Sequence, residues 1–465
     1  MPGLFQGLEL GKRAMLTHQL TLQTIAHNIA NVNTPGYSRQ RISICATRPE
    51  LSATGAVGTG VQALDIRHIR DLFLGEQFRQ NSKSLGQWSY KEKTLSQVEA
   101  LFSEPNENTL SDQMNKFWNA WSDLSTDPSS MSSREAVLGQ ANLLVNSFHE
   151  LASQLYKLQD ATDRDLVNLT SEVNRFTGEI ASLNHQIKQC ELGTGKANDL
   201  RDERDLILDK LAAIIDVNTI EDTSGDMTVY LGAMAIVSND EAIGIKVDVF
   251  NDRGHLKHVL AWKGTSITIK NLNGQIKGLL DSRDEIIPRY LEELNKLSST
   301  IVEEVNALHS TGYALDGSTG TNFFDTNYTD AATIRINPEI INNLAKISSA
   351  SIPDAESDNT IALAIADLRN SKVMGNNTTS IDDFYNGLVG TMGVEVHESQ
   401  SFTSRYELLA NQIEDARQSV QGVSLDEEMT AMIKSQHAYD AAARIITTMD
   451  EALDTVIHGM GRVGR

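Results

Sequence analysis

Apolar side chains recur at both extremes of this chain with the spacing of a coiled coil. Near the N-terminus Leu4, Leu8, Gly11, Met15, His18, Leu22, Ile25, Ile29 and Val32 follow steps of 4,3,4,3, soft at Gly11 and His18. Near the C-terminus Leu425, Met429, Met432, Gln436, Tyr439, Ala443, Ile446, Leu453 and Ile457 follow the same steps, with one slip near Met449 and Asp450. Such a period keeps one stripe of a helix facing a partner helix. It predicts coiled-coil helices over 1–40 and 424–465 that pair with each other. The same pattern also fits two sequence-distant helices of one globular domain. Charge agrees with pairing. Residues 1–44 carry Lys12, Arg13, Arg39 and Arg41 against Glu9, whereas residues 425–458 carry seven acids against Lys434 and Arg444. Ser424-Leu-Asp-Glu427 has the spacing of a capping box and is expected to start the second helix.

Between the ends the signal is nested. Residues 41–80 alternate around a glycine-rich loop, "SATGAVGTG", and predict a hairpin or loop excursion. Residues 81–215 read as the first half of a helical body. Leu144, Phe148, Leu151, Leu155 and Leu158 continue after a stutter into Leu166, Leu169, Val173, Phe176, Ile180, Leu183 and Ile187. This predicts one helix of about 45 residues, roughly 65–70 Å at ~1.5 Å per residue. It should stop at "ELGTGKAND", with "DLRDERDLILDKLAAII", Asp199 to Ile215, returning as a further helix. Residues 216–274 are short, β-branched segments, including "SITI", punctuated by Gly225, Asp252-Arg-Gly254 and Asn273-Gly274, and predict a small inserted β domain. Residues 275–423 read as the second half of the helical body, with Pro288 kinking or starting a helix. The fold class expected is mainly α: terminal coiled-coil helices, a long helical-bundle body and a small central β domain.

Composition narrows the function. The chain of 465 residues has a formal net charge of -22, from 62 acids against 40 bases, and such a surface repels nucleic acid and anionic membranes. Cys45 and Cys190 form no disulfide framework and no metal spacing. No catalytic constellation survives inspection. "CELGTGKA" has Cys190 where a phosphate loop needs Gly and Ala197 where it needs Ser or Thr. "GAVGTG" lacks a βαβ setting. His255 and His258 fall three apart in an expected strand and point to opposite faces, and the other histidines have no matching ligands. No cofactor, no metal and no enzymatic activity are expected. The acidic and basic run "NDLRDERD" at 198–205 reads as a solvated helix face with i,i+4 pairs. Met1-Pro-Gly-Leu lacks the basic and apolar regions of a secretory signal.

The stretch "NIANVNTPGYSRQR", Asn28 to Arg41, ends the first helix. Asn28, Asn31 and Asn33 are poor helix formers that tolerate left-handed backbone. Pro35 disfavours helix at Thr34, and Pro35-Gly36 suits a type II turn, with Tyr37 anchoring the exit. A helix end and a turn explain Pro35 and Gly36. They explain the three amides less well, and these would suit contacts with neighbouring subunits.

"NIANVNTPGY" resembles the N-terminal signature of the bacterial flagellar axial proteins, the rod, hook and hook-associated subunits, carried here by Asn28, Asn31, Asn33, Thr34, Pro35, Gly36 and Tyr37. "SRQR" narrows the resemblance to the hook-associated branch. "VSLDEEMTAMIKSQHAYDAAARIITTMDEALDTVI", "NDLRDERDLILDKLA" and "LHSTGYALDGSTGTNFF" are similar to segments of the same branch. The resemblance implies a non-enzymatic structural subunit of the hook–filament junction. Its implied partners are further copies of itself in a ring, the hook protein and a second junction protein, with an export chaperone at the C-terminal helix. It also implies export by the flagellar type III route and terminal helices that order on assembly. A polymer interface is then expected from Leu4, Leu8, Met15, Leu22, Ile25, Ile29 and Val32 against Leu425, Met429, Met432, Tyr439, Ala443, Ile446, Leu453 and Ile457. Two other readings share features: another axial subunit (rod or hook protein), and more remotely a cell-wall hydrolase carried on axial ends.

Overall fold

The computed structural model describes residues 2–52, 55–102, 109–193, 195–222, 224–252, 255–265, 267–270 and 272–459. The side chain of Leu4, the Arg253–Gly254 turn and Met460 lie outside them. The chain is mainly helical, with small antiparallel sheets in its middle. It opens with α1 (Pro2–Ala30). β1 (Gln40–Ala46) then pairs with β4 (Val61–His68), and β2 (Glu50–Ser52) with β3 (Gly55–Val57) as a nested hairpin. Next come α2 (Leu72–Phe102), α3 (Leu110–Thr126), α4 (Met131–Cys190) and α5 (Asn198–Ile214).

α4 has 60 residues, longer than the periodicity predicts. Ser130 caps it, its side chain accepting from Ser133 N–H at 3.2 Å, and Gly139 does not interrupt it. The stutter between Leu158 and Leu166 is bridged by Thr162, which is buried with its hydroxyl returned to Leu158 O at 2.9 Å. A hydroxyl satisfied on its own helix fits an apolar stripe without breaking it.

A four-stranded sheet follows: β5 (Val217–Glu221), β6 (Met227–Leu231), β7 (Met234–Ser238) and β8 (Glu241–Ala242), in that order. A two-stranded ribbon, β9 (Ile245–Asp252) with β10 (His255–Trp262), stands beside it. The expected "SITI" strand is reduced to a bridge from Thr268 to Ala261. α6 (Gln275–Asp281) runs through a π-helical turn at 282–286 into α7 (Ile287–His309), with Pro288 in its first turn. β11 (Tyr313–Ala314), α8 (Pro338–Asn342), β12 (Ser348–Ala350) and α9 (Thr360–Asp367) form a compact non-periodic region. α10 (Ile381–Gln421) and α11 (Leu425–Asp454) close the chain, α11 passing into a π-helical turn at 455–459.

Two cores result. One gathers α3, α7, α9, the first half of α4 and the Phe323–Phe324 loop around Phe117, Trp118 and Trp121. The other gathers the second half of α4, α5, α6 and the strands β5, β6, β7, β9 and β10. The strands therefore share their core with α4 and α5. α2 packs along α10, and both give residues to the first core, Val98 and Phe102 from α2 and Tyr385 and Met392 from α10. α1 packs along α11, and among the described residues this pair gives none to either core.

Candidate assembly interface

The α1/α11 pair is antiparallel. A Cβ placed on Gly7 would meet Met449 Cε at 2.8 Å, and one on Gly11 would meet Ile446 Cγ1 at 2.7 Å. Asn28 Nδ2 donates to Glu428 Oε2 at 3.0 Å. These three contacts run the length of the seam in one register. Ile25, Thr17, Thr24 and Asn28 are buried on α1, and Glu428, Ser435 and Ala442 on α11, one heptad apart. Small residues let the helix backbones approach closely.

The expected interface residues divide between two faces. Ile25 is buried, and Leu8, Met15, Leu22, Ile29 and Val32 are half-buried. Met432, Tyr439, Ala443, Ile446 and Leu453 are half-buried too. Leu425, Met429 and Ile457 face outward at 47%, 57% and 65% exposure, in company with Phe5, Leu16 and Ile433. The seam inside the chain is thus narrower than the apolar content of the two helices.

At the base of the pair lies a polar node. Thr34 to Tyr37 form a type II turn, Tyr37 N–H donating to Thr34 O at 3.2 Å with Gly36 at φ 79°. Asn31 Nδ2 donates to His27 O at 3.0 Å and satisfies a carbonyl at the helix end, while Asn33, Thr34 and Pro35 are exposed. Asn28 does not end the helix. Its Oδ1 accepts from Tyr37 Oη at 2.8 Å and from Gln40 N–H at 2.9 Å, and its Nδ2 donates to Gln40 O at 3.0 Å as well as to Glu428. All four bonds stay within the chain, so this amide is not held for a neighbouring subunit. Burial, with Asp199, Asp202 and Glu428 nearby, pushes the Tyr37 hydroxyl well above its ordinary range, so it remains a donor.

The capping box does not form. Ser424 makes no side-chain cap bond, and the Glu427 carboxylate instead accepts from Arg39 Nη1 at 2.6 Å. Arg39 Nε donates to Glu428 Oε1 at 2.5 Å. Burial works against the Arg39 charge, yet the hydrogen bonds and charges of Glu427 and Glu428 hold its pKa above the usual value. A guanidinium shared by two acids outcompetes the Ser424 backbone N–H for the Glu427 carboxylate.

The run at 198–205 is not a solvated face. Asp202 and Arg204 are buried on α5. Ser38 N–H and His68 Nδ1 contact Asp202 at 2.7 and 2.9 Å, and Gln40 Nε2 donates to Asp199 at 2.6 Å. Arg70 pairs with Asp205, and Arg417 Nη2 with Asp209 at 2.9 Å. Arg204 Nη1 donates to Asn184 Oδ1 at 2.9 Å and to Gly225 O at 2.8 Å. The 3- and 4-residue steps between Asp199, Asp202, Asp205 and Asp209 put these acids on one side of the helix. That stripe collects the NTPGY exit, β4 and α10. Its spacing was the signal available in the sequence. Glu428 was equally readable as the head of the line Glu428, Ser435, Ala442 and Met449.

Beside the node a cleft of about 940 Å³ opens between Pro35, Tyr37, Phe78, Leu206, Arg417 and Val423. Among the described residues no group of His, Cys, Asp and Glu is placed to hold a metal ion. Among them, too, no helix is long and apolar enough to cross a membrane.

Comparison with known proteins places this geometry. Residues 95–324 match the model of the flagellar hook-associated protein FlgK helical domain. Residues 8–37 match that of the flagella basal body rod protein, and 417–458 that of the flagellar basal body rod FlgEFG protein C-terminal region. The chain is 32% identical to flagellar hook-associated protein 1 of Bacillus subtilis (strain 168), with all of both chains covered. It is 24% identical to that of Escherichia coli (strain K12) and 23% to that of Salmonella typhimurium, in each case over 95% of this chain and 97% of the relative. The fold is similar to that of the flagellar hook junction protein FlgK from Burkholderia pseudomallei, with a TM-score of 0.66 at 14% identity, over 74% of this chain and 100% of that one. Full-length identity with the Bacillus protein, together with family models at both ends and across the helical body, establishes that the chain belongs to the flagellar hook-associated protein 1 family.

Proposed function

We propose that this chain is a non-enzymatic structural subunit of the bacterial flagellum, built into the hook–filament junction through its terminal helix pair. In this reading 1–40 and 424–465 act as one assembly unit, and 81–215 with 275–423 form the body that carries it. The segments 41–80 and 216–274 face outward as appendages. Its partners are further copies of itself in a ring, the hook protein below and a second junction protein above. It leaves the cell by the flagellar type III route, with an export chaperone on the C-terminal helix.

One observation carries the reading. The α1/α11 pair fills its own seam and still leaves Phe5, Leu16, Leu425, Met429 and Ile433 exposed on a two-helix unit that has no core of its own. Apolar surface of this kind is stable only when covered, and head-to-tail packing of copies covers it without closing a dimer. The test is to mix isolated hooks with the full chain, or with a chain lacking 1–40 and 424–465, and inspect hook tips by electron microscopy. Capping by the full chain alone supports the proposal. Equal capping by the shortened chain overturns it and moves attention to Val249 and Phe250, exposed on the β9–β10 ribbon.

A further inference from the structure

The elbow between α10 and α11 is three residues long, Gly422 to Ser424. Gly422 N–H closes α10 on Gln418 O at 2.8 Å, and Ser424 makes no cap bond with its side chain. The two sides are bridged by a residue from elsewhere in the chain. Arg39 N–H donates to Gln421 O, the last carbonyl of α10, at 2.8 Å. The Arg39 side chain donates to Glu427 and Glu428, in the first turn of α11, at 2.6 and 2.5 Å. Its carbonyl accepts from Ile69 N–H at 2.8 Å, which ties it to the strand that leads into α2.

Each helix pair is held by its own contacts. In α2/α10 these are the Trp88–Phe402 stack at 4.3 Å, the Asn81 bond to Tyr406 O at 2.8 Å and Arg417 over the Phe78 ring at 4.6 Å. In α1/α11 they are Gly7 against Met449, Gly11 against Ile446 and Ala442, and the buried Ile25. Neither set crosses the elbow. The α5 carboxylates grip Ser38 and Gln40, and so the end of α1, whereas α11 is reached through Asn28 and Arg39.

We propose that Arg39 is the positioning residue that sets the direction in which the α1/α11 pair leaves the α2/α10 pair. A planar guanidinium donating to two carboxylates from two different nitrogens resists rotation about the elbow. A lysine in its place supplies a point charge that swivels. The inference deepens the junction reading and rests on it for one consequence only: the direction of the pair decides how a subunit presents its terminal helices to its neighbours.

The test measures the elbow itself. Spin labels are placed through Ser404→Cys and His437→Cys, both exposed, in a full-length chain carrying Cys45→Ser and Cys190→Ser. Double electron–electron resonance then reads the distance across the elbow, and circular dichroism reads helix content. Arg39→Gln combined with Glu428→Gln removes the fork without leaving a buried carboxylate unpaired. The expected result is one narrow distance with Arg39 present, its loss to a broad distribution in the double variant, and unchanged helix content in both. Arg39→Lys falls between them. A narrow peak that survives in the double variant overturns the proposal, and so does a broad one with Arg39 present. Loss of helix in the double variant overturns it as well, because Arg39 is then a folding contact and not a positioner. Hooks play no part in this measurement, so failure of the junction reading shows separately in the capping assay.

Discussion

Asn28 and Glu428 lie 400 positions apart in the chain and 3.0 Å apart in the structure. Both are buried, and Glu428 shares its second oxygen with Arg39. The beginning and the end of the chain are therefore joined through a side chain whose loss leaves one Glu428 oxygen and two Gln40 backbone groups without its hydrogen bonds.

Replacing Asn28 with alanine removes four hydrogen bonds at once and leaves Gln40 N–H, Gln40 O and one Glu428 oxygen short of partners. Each stranded buried group costs about 1–3 kcal/mol, so a loss of about 3 kcal/mol is expected, confined to the terminal unit. Hydrogen exchange should quicken in α1 and α11 and stay unchanged in α3 and α7.

Gly7 and Gly11 respond differently to alanine. Both gain about 1 kcal/mol of helix propensity. At Gly7 the new methyl meets the flexible end of Met449, and at Gly11 it meets the stiffer Ile446 Cγ1 at 2.7 Å, with Ala442 O at 3.4 Å. Overpacking costs about 1–3 kcal/mol, which exceeds the gain only where the neighbour cannot move. Gly7→Ala should be near neutral and Gly11→Ala destabilising. Ile446→Ala should relieve Gly11→Ala in a double-mutant cycle read by urea denaturation.

Gly86 sits where α2 touches the end of α5 and the start of α6. A Cβ there would overlap the carbonyl oxygen of Ala213, and one on Gly278 would overlap that of Gln87. Backbone atoms cannot rotate aside as a side chain can. Gly86→Ala should cost about 3 kcal/mol, more than Gly11→Ala, and lower the urea midpoint of the second core first.

Acid acts on the two cores in two windows. His309 is buried and donates through Nδ1–H to Thr321 O at 2.7 Å, while Nε2 accepts from Ser348 N–H at 2.9 Å. Burial lowers its pKa from 6.5 to about 4, against the Thr321 bond and with help from the Arg134 charge. The unfolded chain therefore takes the proton first. Stability is full above pH 6.5 and falls by about 3 kcal/mol as pH drops to about 4. His309→Gln should flatten that slope. At Glu191 burial raises the pKa, but Arg201, the Ala197 N–H and Lys196 outweigh it and hold the group at about 2. Its contribution is present above pH 4.5 and lost as pH falls towards about 2, a loss that Glu191→Gln should abolish. Urea midpoints measured across both windows separate the two.

Periodicity located the helices because a buried stripe leaves its mark on nearby residues. It bridged the stutter at Thr162 but undercounted α4 at its N-terminal end, where Gly139 intervenes and only Val137 and Ala141 are buried apolar residues before Leu144. It found the terminal helices but could not choose between adjacent stripes. Leu425 and Met429 are larger than Glu428 and Ser435, yet it is the smaller, more polar line that turns inward. The α5 acids were misread for a similar reason. Their partners Ser38, Gln40 and His68 lie 164, 159 and 134 positions away, and local charge balance does not reveal them. The Asn28–Tyr37 turn was legible in its geometry and not in its bonds, because Glu428 comes from the other end of the chain.

α4 belongs to both cores, with Val137 to Leu155 in one and Leu166 to Ile187 in the other. Its 60 residues make a strut of about 90 Å at ~1.5 Å per residue. Beyond Leu155, where the first core lets go, roughly 50 Å of it runs on to Cys190, and a tilt of about 2° sweeps that end through about 2 Å. The strands carried there behave as the pointer of a gauge. Whatever small change of attitude a subunit accepts on being seated is shown, enlarged, at the tip.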